Sequence, residues 1–232
     1  MIPIVPGIFT FTGLLVGRVY CLVDPDGLTL IDTGMSLAAP RILRQLAAAG
    51  HRPGDVRRIL ITHAHPDHIG GLPELQARTG AQVIASAADR PVIEGREPAP
   101  RPPRKALSGP ARLMWRPGAR AAPTPVDRVV ADGETLPDVL DGLQVIATPG
   151  HTPGHLAVWQ PARRLLFCGD LIMHTAGLRL PIAAFTVDMA QNRRSIGHAA
   201  ALTPAVVCFG HGAPLMKNAA AAVQTFAARV AA

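Results

Sequence analysis

The sequence contains few cysteines and few aromatic residues. Its three cysteines, Cys21, Cys168 and Cys208, are far apart and form no CxxC pair. This pattern indicates neither a disulfide framework nor a thiolate zinc site, and we expect three buried, reduced thiols. Aromatic residues make up only 4% of the 232 residues. Such a composition argues against a platform that stacks the bases of single-stranded nucleic acid.

Long hydrophobic runs are also absent. No apolar run reaches the roughly 18–20 residues that span a bilayer. The start, MIPIVPGIFTF, lacks the basic region and cleavage site of a signal peptide. We therefore expect no membrane association and a cytoplasmic location. Hydrophobic residues make up 48% of the chain, enough for one core, so we expect a single domain over residues 1–232.

Strand and helix patterns alternate along most of the chain. The segments RVYCLVD and LTLID flank a DPDG turn and predict a hairpin. Apolar residues at helical spacing follow until Gly50, and then comes a buried-type strand, VRRILIT. The second half repeats this order of strands followed by helices. Two sheets packed together with helices outside, a layered α/β sandwich, are therefore predicted.

The stretch ITHAHPDHIGG places three histidines and an aspartate within six residues. Side chains alternate faces along an extended backbone, so His63, His65 and Asp67 would point one way, and a following turn can bring His68 beside Asp67. Imidazole nitrogens and carboxylate oxygens are the ligands of Zn²⁺ and other divalent first-row metals. The stretch therefore predicts a metal site at the end of a strand.

Three later positions can supply further ligands. His151 follows a strand in ATPGHTPGH, Asp170 ends LLFCGD, and His211 follows the last strand in VVCFGHG. Loops at strand ends are where a rigid scaffold places its chemistry, and neighbouring glycines let the backbone turn tightly there. Together with the first cluster they make five histidines and two aspartates, which is enough for two metals.

These motifs, ITHAHPDHIGG, GHTPGH, FCGD and FGHG with the earlier LIDTG, resemble the metallo-β-lactamase-fold superfamily, particularly its glyoxalase II-like metallohydrolases. The resemblance implies a four-layer αββα sandwich. It further implies that Asp32 supports the metal loop without binding metal, and that His155 lies next to the ligands. The implied ligands are His63, His65 and His151 for one metal and Asp67, His68 and His211 for the other, with Asp170 bridging.

The resemblance implies hydrolysis of an ester, thioester, lactone or phosphoester bond by a hydroxide that two metals share. Asp67 and Asp170 would be the catalytic carboxylates. Zinc is the expected metal, and iron and manganese stay open because the same ligands serve all three. An iron-dependent redox enzyme similar to persulfide dioxygenases is one alternative, and a nucleic-acid phosphodiesterase is another that we consider weaker.

The expected partner is a small-molecule substrate, and a net charge of +7 favours an anionic one. His174 and Arg179 are the polar candidates for its contacts, because they follow Asp170 in a segment without strong periodicity. Residues 89–127 form a predicted insertion rich in proline and arginine. We expect it to be a lid that attracts anions; a loop without a role and a pairing arm between subunits of a homo-oligomer stay open.

Overall fold

The computed structural model describes residues 1–231, in which it has fourteen strands and seven α-helices. The strands are β1 (Ile2–Val5), β2 (Ile8–Thr10), β3 (Tyr20–Asp24), β4 (Gly27–Ile31), β5 (Val56–Leu60), β6 (Gln82–Ser86), β7 (Arg128–Val130), β8 (Thr135–Leu136), β9 (Leu143–Ala147), β10 (Leu156–Gln160), β11 (Leu165–Phe167), β12 (Met173–His174), β13 (Leu178–Arg179) and β14 (Val206–Cys208). The helices are α1 (Ala39–Ala48), α2 (Pro66–Ile69), α3 (Leu72–Thr79), α4 (Arg90–Ile93), α5 (Gly109–Met114), α6 (Met189–Ala201) and α7 (Ala219–Ala231).

Two sheets contain twelve of these strands. The first has the order β1-β2-β3-β4-β5-β6-β7, and the second has the order β14-β11-β10-β9-β8. Strands β4 to β7 pair in parallel, as do β11 and β14, whereas the other neighbours pair antiparallel. The strands β12 and β13 form a separate two-stranded ribbon. In the parallel parts, helices connect successive strands, and the strands end at a common edge.

The side chains of each strand alternate between its two faces, so the two sheets and the helices outside them form four layers. Leu30 packs on the side of α1 and α3, whereas the next residue, Ile31, packs between the two sheets. Phe167 also lies between the sheets, and its neighbour Leu166 packs on the side of α6 and α7. Because successive strand residues face opposite sides, each sheet contributes to two hydrophobic layers. The predicted αββα sandwich is therefore confirmed.

The structure differs from the sequence expectation in two places. The extended path expected through Asp67 ends at His65, because Pro66 starts α2 and places Asp67 and His68 in its only turn. The 89–127 insertion segment contains α4, α5 and a 3₁₀ turn, although it shows little periodicity. Among residues 1–231, no helix combines the length and the apolar character needed to cross a bilayer.

Candidate metal centre

All seven predicted ligands come together at one edge of the two sheets. Loops that follow β5, β9, β11 and β14 carry five of them, and α2 carries the other two. The residues are His63 and His65 after β5, Asp67 and His68 in α2, His151 after β9, Asp170 after β11, and His211 after β14. The order of strands in the sheets thus gathers residues that lie up to 148 positions apart in the chain (211 − 63).

His63, His65 and His151 form one group of potential ligands. One ligand atom from each lies within 4.8 Å of the others, and all three side chains are buried. His65 Nδ1 is 2.9 Å from His151 Nε2. Two imidazole nitrogens that face each other at this distance converge on one point, as two ligands of one cation would.

Asp67, His68 and His211 form a second group, also within 4.8 Å. The Nε2 atom of His211 is 3.1 Å from Asp67 Oδ2 and 3.0 Å from Asp170 Oδ2. Asp170 Oδ1 is 3.4 Å from His68 Nε2, and Asp170 Oδ2 is 3.6 Å from His151 Nε2. The carboxylate of Asp170 therefore lies between the two groups and contacts both.

Unsatisfied polar atoms at this centre fit a site that could bind a cation. Among residues 1–231, His63 Nε2, His68 Nε2 and Asp170 Oδ1 are buried and have no hydrogen-bond partner. A buried polar atom without a partner typically costs about 1–3 kcal/mol. The cluster contains three such atoms, and all three are of types that bind divalent first-row metals as ligands. A metal bound there would give them partners.

The protonation states of the cluster also fit a site that could bind a cation. Burial lowers the pKa of His63 and of His151 well below the ordinary value, so both imidazoles are neutral. Burial also lowers the pKa of His211, but hydrogen bonds to Asp170 and Asp67 outweigh it and raise this pKa to about 9. The carboxylates thus hold a proton on a neighbouring imidazole. A divalent cation that binds these ligands displaces such protons.

Asp32 contacts His68 of the second group on the side of the ring that faces away from the other ligands. Its carboxylate accepts hydrogen bonds of 2.8 Å from the Thr62 backbone N–H and from the Thr62 hydroxyl. Its Oδ2 atom also lies 2.8 Å from His68 Nδ1. With Nδ1 engaged by the carboxylate, His68 turns Nε2 towards Asp170. Among residues 1–231, the Asp32 carboxylate bonds only to Thr62 and His68, which fits a supporting role.

His155 lies behind Asp170. Its Nε2 atom accepts a 3.1 Å hydrogen bond from the Asp170 backbone N–H, and its Nδ1 atom is 2.8 Å from the Thr148 hydroxyl. Burial lowers the pKa of His155 to about 3, so the ring is neutral and Nε2 can accept. Both ring nitrogens are therefore engaged, and His155 fixes the loop that carries Asp170.

Asp89 joins two ligand loops, a role that we did not predict. Its buried carboxylate accepts hydrogen bonds from the Ala64 N–H at 2.9 Å, the Thr152 hydroxyl at 2.8 Å and the Gly154 N–H at 2.9 Å. Ala64 lies between two ligands, and Thr152 follows His151 directly. The only signal in the sequence is the position of Asp89 just after β6, at the same edge of the sheet as the ligands.

Close packing around Asp170 explains a glycine in the last motif. A Cβ atom on Gly210 would lie 2.0 Å from Asp170 Oδ1 and 2.9 Å from His68 Cε1. Only glycine leaves room for both ligands at this position.

A cleft of about 380 Å³ opens above the ligands. Side chains from several loops make its walls largely apolar. Its lining residues are Val16, Met35, His65, Pro66, Asp67, Arg101, His151, Asp170, Met173, Ile182, Phe185 and His211. Arg101 is the one residue of the insertion segment in this set.

The structure does not place His174 and Arg179 in the cleft. His174 Nδ1 is 2.6 Å from the Ala213 carbonyl oxygen, and its backbone N–H donates to the His211 carbonyl at 3.0 Å. Arg179 is exposed and donates through Nε to the Thr175 carbonyl. Neither side chain lines the cleft, whereas Met173, which pairs with Arg179 across the ribbon of β12 and β13, does.

The comparison with known families agrees with this centre. A sequence model of the metallo-beta-lactamase superfamily matches residues 12–211. The chain belongs to this superfamily. The resemblance drawn from the motifs is therefore confirmed, and the matched range includes all seven predicted ligands.

Individual relatives and structural neighbours include a probable metallo-hydrolase, a hydroxyacylglutathione hydrolase and a metallo-beta-lactamase. A probable metallo-hydrolase of Bacillus subtilis, YybB, is 30% identical over 196 residues, which cover 84% of this chain and 80% of the relative. A hydroxyacylglutathione hydrolase of Rhodobacter capsulatus is 34% identical over 184 residues, 79% of this chain but 59% of the relative. The crystal structure of the metallo-beta-lactamase MIM-1 from Novosphingobium pentaromativorans has a TM-score of 0.70, with 27% identity, 95% coverage of this chain and 84% of that chain.

Proposed function

We propose that this chain is a dinuclear metal-dependent hydrolase that cleaves an ester, thioester, lactone or phosphoester bond in a small molecule. Zinc is the proposed metal. His63, His65 and His151 would hold one ion, and a second would be held by Asp67, His68 and His211. Bound there, such ions would supply Lewis acidity and would lower the pKa of coordinated water from about 15.7 to about 7.

The position of Asp170 is the observation that carries this proposal. Its two oxygens contact His151 of the first group and both His68 and His211 of the second. A carboxylate that contacts both groups favours two ions over one, because a single ion held by either group would leave either His63 Nε2 or His68 Nε2 buried without a partner. The neighbouring carboxylate, Asp67, belongs to the second group alone.

Asp67 is placed to handle protons during hydrolysis. Its side chain is 22% exposed, lines the cleft and lies 3.1 Å from His211 Nε2. Burial raises the pKa of Asp67, but the charge of His68 and the hydrogen bond with His211 outweigh this and lower it below the usual range. The ionised carboxylate can orient the attacking water and pass its proton to the leaving group.

Cys168 is not proposed as a nucleophile. It is buried in the layer between the second sheet and its helices, and burial raises the pKa of its thiol. A thiol with a raised pKa is inert. Hydrolysis by water therefore fits this chain better than a covalent thiol mechanism.

A hydrolysis panel tests the proposed function. The metal-stripped chain is reloaded separately with Zn²⁺, Mn²⁺ or Fe²⁺ and is assayed with an ester, a thioester, a lactone and a phosphodiester. We expect hydrolysis of at least one class, dependent on metal and removed by a chelator. Oxygen uptake with a persulfide by the iron-loaded chain, without any hydrolysis, would instead identify a redox enzyme. Activity only on a nucleic acid would favour the phosphodiesterase alternative.

A further inference from the structure

The insertion segment brings one guanidinium group into the cleft. Arg101 is partly buried, and its Nη1 atom is 2.8 Å from His65 Nε2. Its guanidinium carbon lies 5.0 Å from the centroid of the Phe185 ring, so the aromatic ring supports the charged group. Apart from the predicted ligands, the other residues that line the cleft are apolar. Arg101 is thus a single permanent cation in an apolar wall, beside the ligands.

Prolines and hydrogen bonds hold the backbone around Arg101 in place. Prolines occupy the position before it and the two positions after it, and each fixes its own φ angle. The Pro102 carbonyl accepts a 2.8 Å hydrogen bond from the indole of Trp115, and the Ala99 N–H donates to the Ala119 carbonyl at 2.9 Å. Arg101 is therefore positioned by the fold of the segment and does not reach the cleft through a free loop.

The contact between Arg101 and His65 conflicts with a loaded metal centre. His65 presents Nδ1 to His151 within the first ligand group, so Nε2 is its outward nitrogen. A neutral imidazole that uses Nδ1 as a ligand keeps its proton on Nε2, and a guanidinium group has donors only. Two donors cannot form a hydrogen bond. With a metal bound, the Nη1 donor therefore needs another acceptor.

A second donor of Arg101 also lacks a partner. Its Nε atom is buried and has no hydrogen-bond partner among residues 1–231. Nη1 retains only the Pro100 carbonyl at 3.1 Å. Nε lies on a different edge of the guanidinium plane from Nη1, so one carboxylate cannot bind both. The Nη1–Nη2 edge matches a carboxylate, which accepts two parallel hydrogen bonds from it. A carboxylate on that edge would satisfy the Nη1 donor and the charge together.

We propose that Arg101 binds a carboxylate of the substrate, so that the substrates of this chain are small carboxylic acids with a hydrolysable bond nearby. The proposal rests on the proposed function, because it places the carboxylate next to a hydrolytic centre. Arg101 directly contacts His65, one of the predicted metal ligands. A substrate carboxylate bound to Arg101 would therefore lie close to the bond that is cleaved. The apolar part of the substrate packs on Phe185, Met173 and Ile182.

Binding of a dicarboxylate tests this role without relying on activity. Succinate and the uncharged succinamide are titrated calorimetrically into the zinc-supplemented full chain and into three variants, Arg101→Gln, Arg101→Lys and Arg104→Gln. Arg104→Gln is the matched control. Arg104 is exposed and lies in the same segment, and its substitution removes the same charge. We expect Arg101→Gln to raise the Kd of succinate about tenfold or more, Arg101→Lys to raise it less, and Arg104→Gln to change it by less than about twofold.

Equal succinate affinities for Arg101→Gln and Arg104→Gln would overturn the proposal, as would wild-type protein that binds succinamide as tightly as succinate. Metal content and thermal unfolding are measured on the same samples, and a folded Arg101→Lys variant keeps the comparison valid if Arg101→Gln unfolds. A wild-type chain that holds no metal and hydrolyses nothing would overturn the proposed function. The succinate comparison would still decide whether Arg101 is the carboxylate-binding residue.

Discussion

The ligand centre and the insertion segment lie next to each other but are built in opposite ways. At the centre, His63 and His68 are at most 1% exposed, and the side of His68 away from the ligand cluster is fixed by Asp32. In the segment, Leu113 is 76% exposed and Arg112 faces solvent. The ligand centre is buried and held by hydrogen bonds, whereas the segment is exposed and only one of its side chains, that of Arg101, lines the cleft.

Because of this difference, we expect the ligand centre to determine the rate of the reaction and the insertion segment to determine the choice of substrate. A change within the ligand cluster alters buried groups that depend on one another, so its effects should be large and independent of the substrate. A change in the exposed part of the segment alters charges in water, so its effects should be small and should depend on the substrate and on salt.

Replacing Asp170 with Ala should have the largest effect. The substitution removes the one carboxylate that contacts both ligand groups and leaves the nitrogens of His68 and His211 without that partner. Loss of a partner outside the ligand set costs about 10–100-fold in activity, so loss of this ligand should lower kcat/KM by more than about 100-fold. Steady-state kinetics on the panel substrates measure it.

Asp138→Ala is the matched control, since Asp138 is exposed and lies outside the cleft. It should keep the wild-type rate. Comparable rates for the two variants would show that Asp170 does not belong to the centre.

Replacing Asp89 with Asn should have an intermediate effect. An amide has one oxygen and cannot accept all three hydrogen bonds that the carboxylate receives from Ala64, Thr152 and Gly154. We expect the free energy of unfolding to fall by about 1–3 kcal/mol and zinc affinity to fall roughly tenfold. Denaturant unfolding and competition with a zinc-binding dye measure the two quantities.

Asp138→Asn controls for the loss of one negative charge. If Asp89→Asn lowers stability but leaves zinc affinity at the wild-type value, then Asp89 stabilises the fold without positioning the ligand loops.

Reversing Arg112 and Arg116 to Glu should have the smallest effect. Both side chains are exposed, so they can attract an anionic substrate only through solvent. We expect kcat/KM to fall a few-fold for anionic substrates alone, and added salt should remove the difference because screening acts within about 8–10 Å near physiological ionic strength. Arg44→Glu with Arg78→Glu, on α1 and α3, makes the same change in net charge at a distance from the cleft.

Equal losses for neutral and anionic substrates, or equal losses in the control pair, would remove any steering role from the insertion segment. They would leave the role of Arg101 untouched, since that residue contacts the centre directly.

The sequence was most informative where chemistry and strand ends coincide. His151, Asp170 and His211 could be selected because each follows a strand pattern and stands beside glycine, and a scaffold brings such positions together. The layered sandwich could be predicted for a similar reason, because alternation and helical spacing are local signals. The structure places these residues at one edge, as the pattern predicts.

Contacts between distant segments could not be predicted in the same way. Asp89 is an ordinary aspartate until β6 brings it to the loops of Ala64 and Thr152. Arg101 is one of several basic residues in its segment, and only packing against Phe185 distinguishes it. His174 and Arg179 lie close to Asp170 in the chain, but their side chains bond to the carbonyls of Ala213 and Thr175, and neither lines the cleft. Each case depends on tertiary structure that leaves no local pattern.

Zinc stoichiometry tests the central claim most directly. The metal-stripped chain and the Asp170→Ala variant are titrated with Zn²⁺ by calorimetry, and elemental analysis determines the bound metal after gel filtration. The proposed centre predicts two ions per wild-type chain and no more than one per chain of the variant, because Asp170 is shared. One ion or none in the wild type, or two ions retained by the variant, would contradict a dinuclear centre built around Asp170.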